Sequence, residues 1–564
     1  MDLRCLFLRC LVIAMLLSVQ VPLSAAQPPQ PIAEFPEKPV LVQLTDGAFL
    51  VFFVRMKADG QVVTARTSQD LGATWSEESH VMALSPEAGG WTLPEALVDS
   101  EGEVHLFFLN DAHSGVILTG EDQRPKAGRL HERRLDIWHA RSRDGRARWE
   151  EPKKIWEGYT GALNSVIETH TGRILLPFSC LTNRTWANRG EGLDTFTYRG
   201  QFDSTLVYSD DGGETWVWPP VRLKTPTPDI VSAYGAVEPV IVELRDGRIW
   251  MLIRTQQGRF YESFSPDGAA WGTPMPSAIV SSDSPGGIVR LTDGRLMLFW
   301  NNCLRYPYAY GGRQVLHAAI SADEGQTWRG YREVARDPLR NEPPPPRGDH
   351  GTAYPFPIAL RDGRAAFVTG QGAGRVVCKV VDPEWLTEPR QEERFAEGLD
   401  SWSVFGTRGV SLFPHPDRPD ARALHIGRED TDWPACAVWN FPAGAAGSIQ
   451  LRLQLLPDSP GAHIGITDHF STPFDLEEVF HNLFDVTLGP DVVPPGQWHD
   501  IELRWDCGRR ACEVLVDSET HVEAHQTRDS VSPCYLRLRT AAETAPDAGF
   551  LVESVVSDVT HAAQ

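Results

Sequence analysis

Short apolar runs such as Leu50-Val-Phe-Phe-Val54 and Ile249-Trp-Met-Leu-Ile253 meet at tight polar turns. The turns fall at Asp46-Gly47, Glu101-Gly102, Thr171-Gly172, Asp246-Gly247, Asp293-Gly294 and Asp362-Gly363. Apolar runs of this length closed by such turns predict β-hairpins. A second pattern interleaves with the first. Ser68-Gln-Asp70-Leu-Gly72-Ala-Thr74-Trp75 recurs around Ser209 and Ser321 and, in degenerate form, around Ser142 and Ser265, at intervals of roughly 50 to 70 residues. In each copy the Asp bonds nearby amides, the Gly tolerates positive φ, and the Trp folds back as an apolar plug. One such turn follows each of the first five hairpins; the sixth lacks it, as expected if its last strand comes from the opposite end of the chain. Six units of strand, turn, strand, strand, Ser-x-Asp turn, strand predict an all-β fold, a six-bladed β-propeller over residues 27–390.

The repeat stops near Asp382-Pro383-Glu384-Trp385. Beyond an acidic linker, alternating strands such as Ser448-Ile-Gln-Leu-Arg-Leu-Gln-Leu455 continue without it. Residues 391–564 are long enough for an independent β-sandwich. Pro494-Pro-Gly-Gln-Trp498 leading into Ile501-Glu-Leu-Arg-Trp505 resembles the lectin-type, concanavalin-like jelly roll, which implies either a carbohydrate-binding accessory or a structural partner for the propeller.

Composition agrees with a turn-rich β protein: 564 residues, 41% hydrophobic, with 48 Gly, 43 Pro and 18 Trp. A net charge of -22 with no Lys/Arg run argues against nucleic-acid partners. Arg4 and Arg9, the apolar stretch Cys10 to Val21 and Ser24-Ala25-Ala26 predict a signal peptide over 1–26, hence a secreted or periplasmic chain with no membrane span once mature. Of the seven cysteines beyond it, Cys507 with Cys512 and Cys436 with Cys534 are candidate disulfides, and no spacing matches a zinc site.

In a propeller, residues at the heads of the innermost strands gather at one channel although they lie far apart in the chain. Glu238 stands just before the apolar run Val240-Ile-Val242, Arg254 ends the next strand, Arg313 heads the strand feeding the fifth Ser-x-Asp turn, and Tyr354 opens the sixth unit. Two guanidiniums, a carboxylate and a phenol at one point make an anion site with a potential nucleophile. Ser282-Asp283-Ser284-Pro285 and Asp349-His350 could face the same channel.

These turns and four placements, over roughly residues 30 to 385, resemble the sialidase superfamily of glycoside hydrolases. In that family a glutamate polarises a tyrosine that attacks the anomeric carbon, an aspartate serves as acid/base, and three arginines grip the substrate carboxylate. The resemblance implies Tyr354 as nucleophile, Glu238 as its base, Arg254 and Arg313 as substrate ligands, Arg55 as a further one, and Asp59 in Lys57-Ala-Asp59-Gly60 as acid/base, with no metal and no cofactor. One departure stands out. Where the family opens its first blade with an arginine, this chain has Glu37, followed by Lys38. An anion there repels a carboxylate and weakens sialic acid as the substrate. The reading is an exported exo-glycosidase acting on terminal, acidic sugars of glycans. The alternatives are a non-catalytic glycan-binding propeller and a hydrolase or lyase for another sugar such as a uronate.

Overall fold

The computed structural model describes residues 26–560 apart from 86–88, 114–133, 145–147, 182–184, 189–195, 200, 228–234, 305–311, 343–350, 371–375, 405–407, 431–434, 473–480 and 531. The expected signal peptide therefore lies outside the described residues but for Ala26. The fold is all-β; Pro383–Thr387 is the one α-helix among the described residues, and no described helix is long and apolar enough to cross a membrane.

Up to Val381 six antiparallel sheets follow one another, and a separate two-stranded sheet, Thr185–Asn188 with Phe196–Arg199, lies between strands of the third. The first is Val40–Gln43, Phe49–Lys57, Gly60–Ser68 and Ser79–Ala83; the second is Gly90–Val98, Val104–His113, Arg134–Ser142 and Lys153–Trp156. The third pairs Ile167–Glu168, Ile174–Leu181 and Phe202–Ser209, and isolated bridges at Val217 and Leu223 stand where a fourth strand would run. The fourth (Val237–Glu243, Ile249–Arg254, Arg259–Ser265, Met275–Val280) and fifth (Gly287–Arg290, Leu296–Trp300, Val315–Ser321, Arg329–Arg336) are regular. The sixth joins Phe356–Ala359, Ala365–Thr369 and Val377–Val381 to Gln30–Pro31, which pairs with Val380 and Lys379. The missing sixth Ser-x-Asp turn is thus explained: the outer strand arrives from the N-terminal side.

Both turn patterns sit where the spacing predicts. The six hairpin glycines have φ between 82° and 91°, a region open to Gly because it lacks Cβ. In the Ser68 turn, Asp70 accepts from the Thr74 amide at 2.8 Å and the Thr74 hydroxyl at 2.6 Å, Ser68 Oγ accepts from Gly72 N at 2.8 Å, and Trp75 Nε1 donates to the Gly72 carbonyl at 3.0 Å. The Ser209 and Ser321 turns repeat the Ser, Asp, Gly and Thr bonds.

Period-two alternation then sorts each inner strand between two cores. Leu106 and Phe108 pack against the first sheet, while Phe107 and Leu109 pack against the third. Leu176 faces the second sheet and Leu175 the fourth. Because both faces are covered, these strands read as unbroken apolar runs. Similar clusters join the fourth sheet to the fifth, the fifth to the sixth, and the sixth to the first through Phe49, Val51, Ala366 and Val368. A cavity of about 710 Å³ is lined from all six sheets, by Val40, Glu95, Asn164, Val242, Ile288 and Phe356 among others.

After Arg390 the chain builds an eight-stranded and a five-stranded sheet that share one core, with Trp402, Trp439, Ile449, Ile464, Trp505 and Leu536 inside it. This part docks on the fifth sheet. Asn302 Nδ2 donates to the Asp468 carbonyl at 2.9 Å, Ala443 N to the Gly330 carbonyl at 2.9 Å, and Tyr535 Oη to Glu333 at 2.7 Å. Asn302 N donates to His317 Nδ1 at 3.1 Å, which leaves Nε2–H to donate to Tyr535 Oη. The candidate disulfides are corrected here: Cys507, Cys512, Cys436 and Cys534 are free thiols. Cys512 stands opposite Trp505 and Ala524 in the ladder rather than opposite Cys507, and Cys436 opposite Arg539 rather than Cys534.

Candidate functional site

The heads of the inner strands converge as their spacing suggests. Glu238 lies where the register of Val237–Glu243 slips against its neighbour, and its backbone is left-handed at φ 46°. Tyr354, two residues ahead of Phe356–Ala359, is left-handed too, at φ 61°. Such conformations cost of order 1–3 kcal/mol for non-glycine residues and persist only where the surroundings hold them. The holding groups are visible. Thr352 Oγ1 donates to the Arg313 carbonyl at 2.6 Å, and Thr369 Oγ1 to the Ala353 carbonyl at 2.8 Å. Lys38 Nζ donates to the Tyr354 carbonyl at 3.1 Å.

Tyr354 Oη donates to Glu238 Oε1 at 3.2 Å and lies 3.2 Å from Arg254 Nη1. That guanidinium, 7% exposed, also bonds Glu238 Oε2 through Nη1 and Asp283 Oδ1 through Nε at 2.7 Å. Gln256 Nε2 donates to Asp283 Oδ2 at 3.0 Å. Arg313 Nη2 donates to the Asp283 carbonyl at 2.6 Å, and its Cζ lies 5.5 Å from the Tyr354 ring centre. So half-buried Tyr354 and buried Glu238, Arg254 and Arg313 form one cluster.

Electrostatics set what the cluster can do. Burial, reinforced by the Glu238 charge, holds the Tyr354 phenol above its ordinary range, so it is neutral at physiological pH and needs a base to react. Burial by itself lowers the Arg254 pKa, but Asp283 and Glu238 outweigh it and hold the guanidinium well above its ordinary range. Lys38, bonded to the Tyr354 carbonyl, feels the charge of buried Glu95. Burial pushes Glu95 up to about 8 and Lys38 down to about 7, each partly opposed by the other's charge.

Two expected residues lie apart from this cluster. Arg55 pairs with Glu37 at 2.6 Å and with Glu78 at 3.1 Å. Asp59 is exposed in the turn between Phe49–Lys57 and Gly60–Ser68. Val40 of the innermost strand pairs with Phe52, and the hairpin runs on past it to Lys57, so it carries Arg55 and Asp59 beyond the strand end that holds Lys38. Asp349 and His350 lie outside the described residues.

Asp283, Glu95, Gln256 and Gly161 join the cluster without a motif of their own in the chain. Asp283 carried a signal, a carboxylate at the head of the fifth inner strand. Glu95 carried little, because a strand irregularity between Thr92 and Glu95 turns it inward. At Gly161 a Cβ would meet Ser179 Oγ at 2.6 Å and Glu238 Cγ at 3.3 Å, so its missing side chain leaves room for Glu238.

Turn-repeat sheets whose inner strands bring a tyrosine, a glutamate and arginines together define a class, and the comparisons agree with it. Residues 91–367 match the family model of the BNR repeat-like domain. The chain is 30% identical to a sialidase of Clostridium perfringens over 251 residues, covering 41% of this chain and 60% of that protein. It is 27% identical to a sialidase of Paraclostridium sordellii over 285 residues, covering 46% and 65%. The chain thus spans less than two thirds of either relative's length. A solved structure of Trypanosoma rangeli sialidase aligns over 93% of this chain and 91% of its own, at 12% identity and a TM-score of 0.40. Over its repeat region the chain is thus similar to the BNR repeat-like domain and to bacterial sialidases.

Proposed function

We propose that the six sheets are the blades of a β-propeller over 27–390, that 391–564 is a lectin-like sandwich, and that the propeller is a sialidase-like, retaining exo-glycosidase. With the expected signal peptide, it acts on terminal sugars of glycans outside the cytoplasm. The observation that carries this reading is the Tyr354–Glu238–Arg254 hydrogen-bonded set, with two of its three backbones strained.

In the first step Tyr354 Oη bonds to the anomeric carbon as the bond to the leaving oxygen breaks. The phenol proton passes to Glu238, and Asp59, on the hairpin beyond the inner strand's head, gives a proton to the leaving oxygen. Water then attacks the anomeric carbon, Asp59 takes its proton, and Tyr354 leaves with the proton held by Glu238, so configuration is retained. Arg254 steadies the developing phenolate through its contact with Oη, and Arg313 binds the sugar. Arg55, held by Glu37 and Glu78, borders the entrance. The acidic glycone expected from sequence is not carried into this proposal, because Glu238 and Asp283 already occupy Arg254.

The test is turnover of a panel of 4-nitrophenyl glycosides by the full chain. Tyr354→Phe is expected to lower kcat by at least ~10³-fold, Glu238→Gln by ~10²–10⁴-fold and Asp59→Asn by a similar factor. Turnover unchanged in Tyr354→Phe sinks the tyrosine mechanism. Sugar binding without turnover on any substrate turns the reading to a glycan-binding propeller.

A further inference from the structure

A substrate carboxylate is usually gripped by a guanidinium edge that offers two parallel N–H groups. Arg254 has two such edges, Nε with Nη2 and Nη1 with Nη2. Asp283 Oδ1 sits on Nε at 2.7 Å, and Glu238 Oε2 sits on Nη1. Each edge therefore already carries a protein carboxylate. The same holds at the mouth, where Arg55 bonds Glu37 through Nη1 and Glu78 through Nε and Nη2. Of the two carboxylate-binding arginines that the resemblance leaves to this chain, Arg254 and Arg313, Arg254 is thus neutralised by the protein's own acids, and so is the further arginine, Arg55.

Charge balance points the same way. Around the Tyr354 hydroxyl the cations Arg254 and Arg313 meet the acids Glu238 and Asp283, while burial holds Lys38 and Glu95 toward their uncharged forms. An incoming carboxylate would leave water for a cluster with no formal excess of positive charge, and it would have to displace Asp283 or share Arg254 with it. Like charges sharing one cation in a desolvated site disfavour each other. A hydroxyl meets no such barrier. Asp283 is 7% exposed and holds its place through Arg254 and Gln256, while each carboxylate oxygen keeps a second lone pair for a sugar O–H.

We propose that the sugar ring bound against Tyr354 is uncharged, and that Asp283 selects it by standing where a substrate carboxylate would otherwise bind and by accepting a ring hydroxyl. This rests on the glycosidase reading above. Glu37 acts in the same sense from the rim, since its bond to Arg55 removes a second cationic ligand.

The experiment compares pairs of 4-nitrophenyl glycosides that differ only at C6, glucoside with glucuronide and galactoside with galacturonide, together with an aryl sialoside. Wild type, Asp283→Asn, Asp283→Ala and Tyr354→Phe are assayed, and binding of the free sugars is read by calorimetry on the same full-length proteins. Wild type is expected to favour the uncharged member of at least one pair by at least 100-fold in kcat/KM. Asp283→Asn, which keeps the side-chain shape, should shift the ratio of carboxylated to uncharged substrate upward by at least tenfold, with Asp283→Ala shifting it the same way. Preference for a carboxylated member that Tyr354→Phe abolishes would overturn this proposal while leaving the glycosidase reading intact. Preference for the uncharged member that Tyr354→Phe leaves unchanged would uphold the uncharged glycone and sink the tyrosine mechanism instead. Neither turnover nor binding of any uncharged sugar overturns the proposal.

Discussion

Arg254→Met removes the cation that joins Glu238 to Asp283 and keeps a side chain of similar length. With charge centres about 4 Å apart and an effective dielectric near 20, each attraction is worth ~4 kcal/mol before desolvation is subtracted. Desolvation cancels much of that gain for the intact set, yet the variant loses the attraction and keeps two buried carboxylates, each 7% exposed. Stranding a buried charge in this way costs about 3–5 kcal/mol. In a structure this large that lowers Tm by of order 5–10 °C. The assay is calorimetric unfolding at pH 7 and again at pH 5, where stranded carboxylates take up protons more readily and the deficit should shrink. Adding Asp283→Asn to Arg254→Met makes one of the two carboxylates neutral and should recover about half of the loss. A Tm within 1 °C of wild type for Arg254→Met, or no recovery in the double variant, would refute the bridging role.

Three further outcomes follow from the same structure. Asp70 is held down at about 2 by the Thr74 hydroxyl and amide, so its contribution to stability is present above about pH 4 and lost as pH falls toward 2; Asp70→Asn should flatten the fall of the urea midpoint between pH 5 and 3, and an unaltered slope counts against it. Folded Glu95 keeps its proton up to about 8, against an ordinary value of 4.5, which makes stability fall as pH rises through that window, while Lys38, discharged near 7, restores stability only above it. Glu95→Gln should therefore raise Tm relative to wild type at pH 8 more than at pH 5, at up to about 1.4 kcal/mol per pH unit. Finally, Tyr535→Phe leaves Glu333 without its 2.7 Å donor in a fully buried contact, costing about 1.5–3 kcal/mol; amide exchange should rise in both Val315–Ser321 and Tyr535–Thr540, and unchanged exchange would show that the contact does not hold the two parts together.

Much of this was legible in the chain itself. A Ser-x-Asp turn encodes its own geometry, because every bond in it joins residues within a few positions, so Ser68 to Trp75 needs no outside partner. Hairpin glycines announce positive φ in the same local way. The apolar runs fix which strands lie between two covered faces, and counting the two turn patterns against each other orders the six sheets. That order brings the heads of successive inner strands to one place, which is why Glu238, Arg254, Arg313 and Tyr354 stand out in the sequence.

Only the tertiary structure decided what those residues hold. Asp283 lies 29 positions from Arg254 and Glu238 lies 116 from Tyr354, so no spacing rule reports that one guanidinium is shared by two acids. The inward turn of Glu95, the capture of Arg55 by Glu37 and Glu78, and the closing strand Gln30–Pro31 likewise depend on chain segments meeting across the fold. Local interactions write turns and strands into the sequence. Charge pairing inside a desolvated channel depends on distances that exist only once all six sheets have packed.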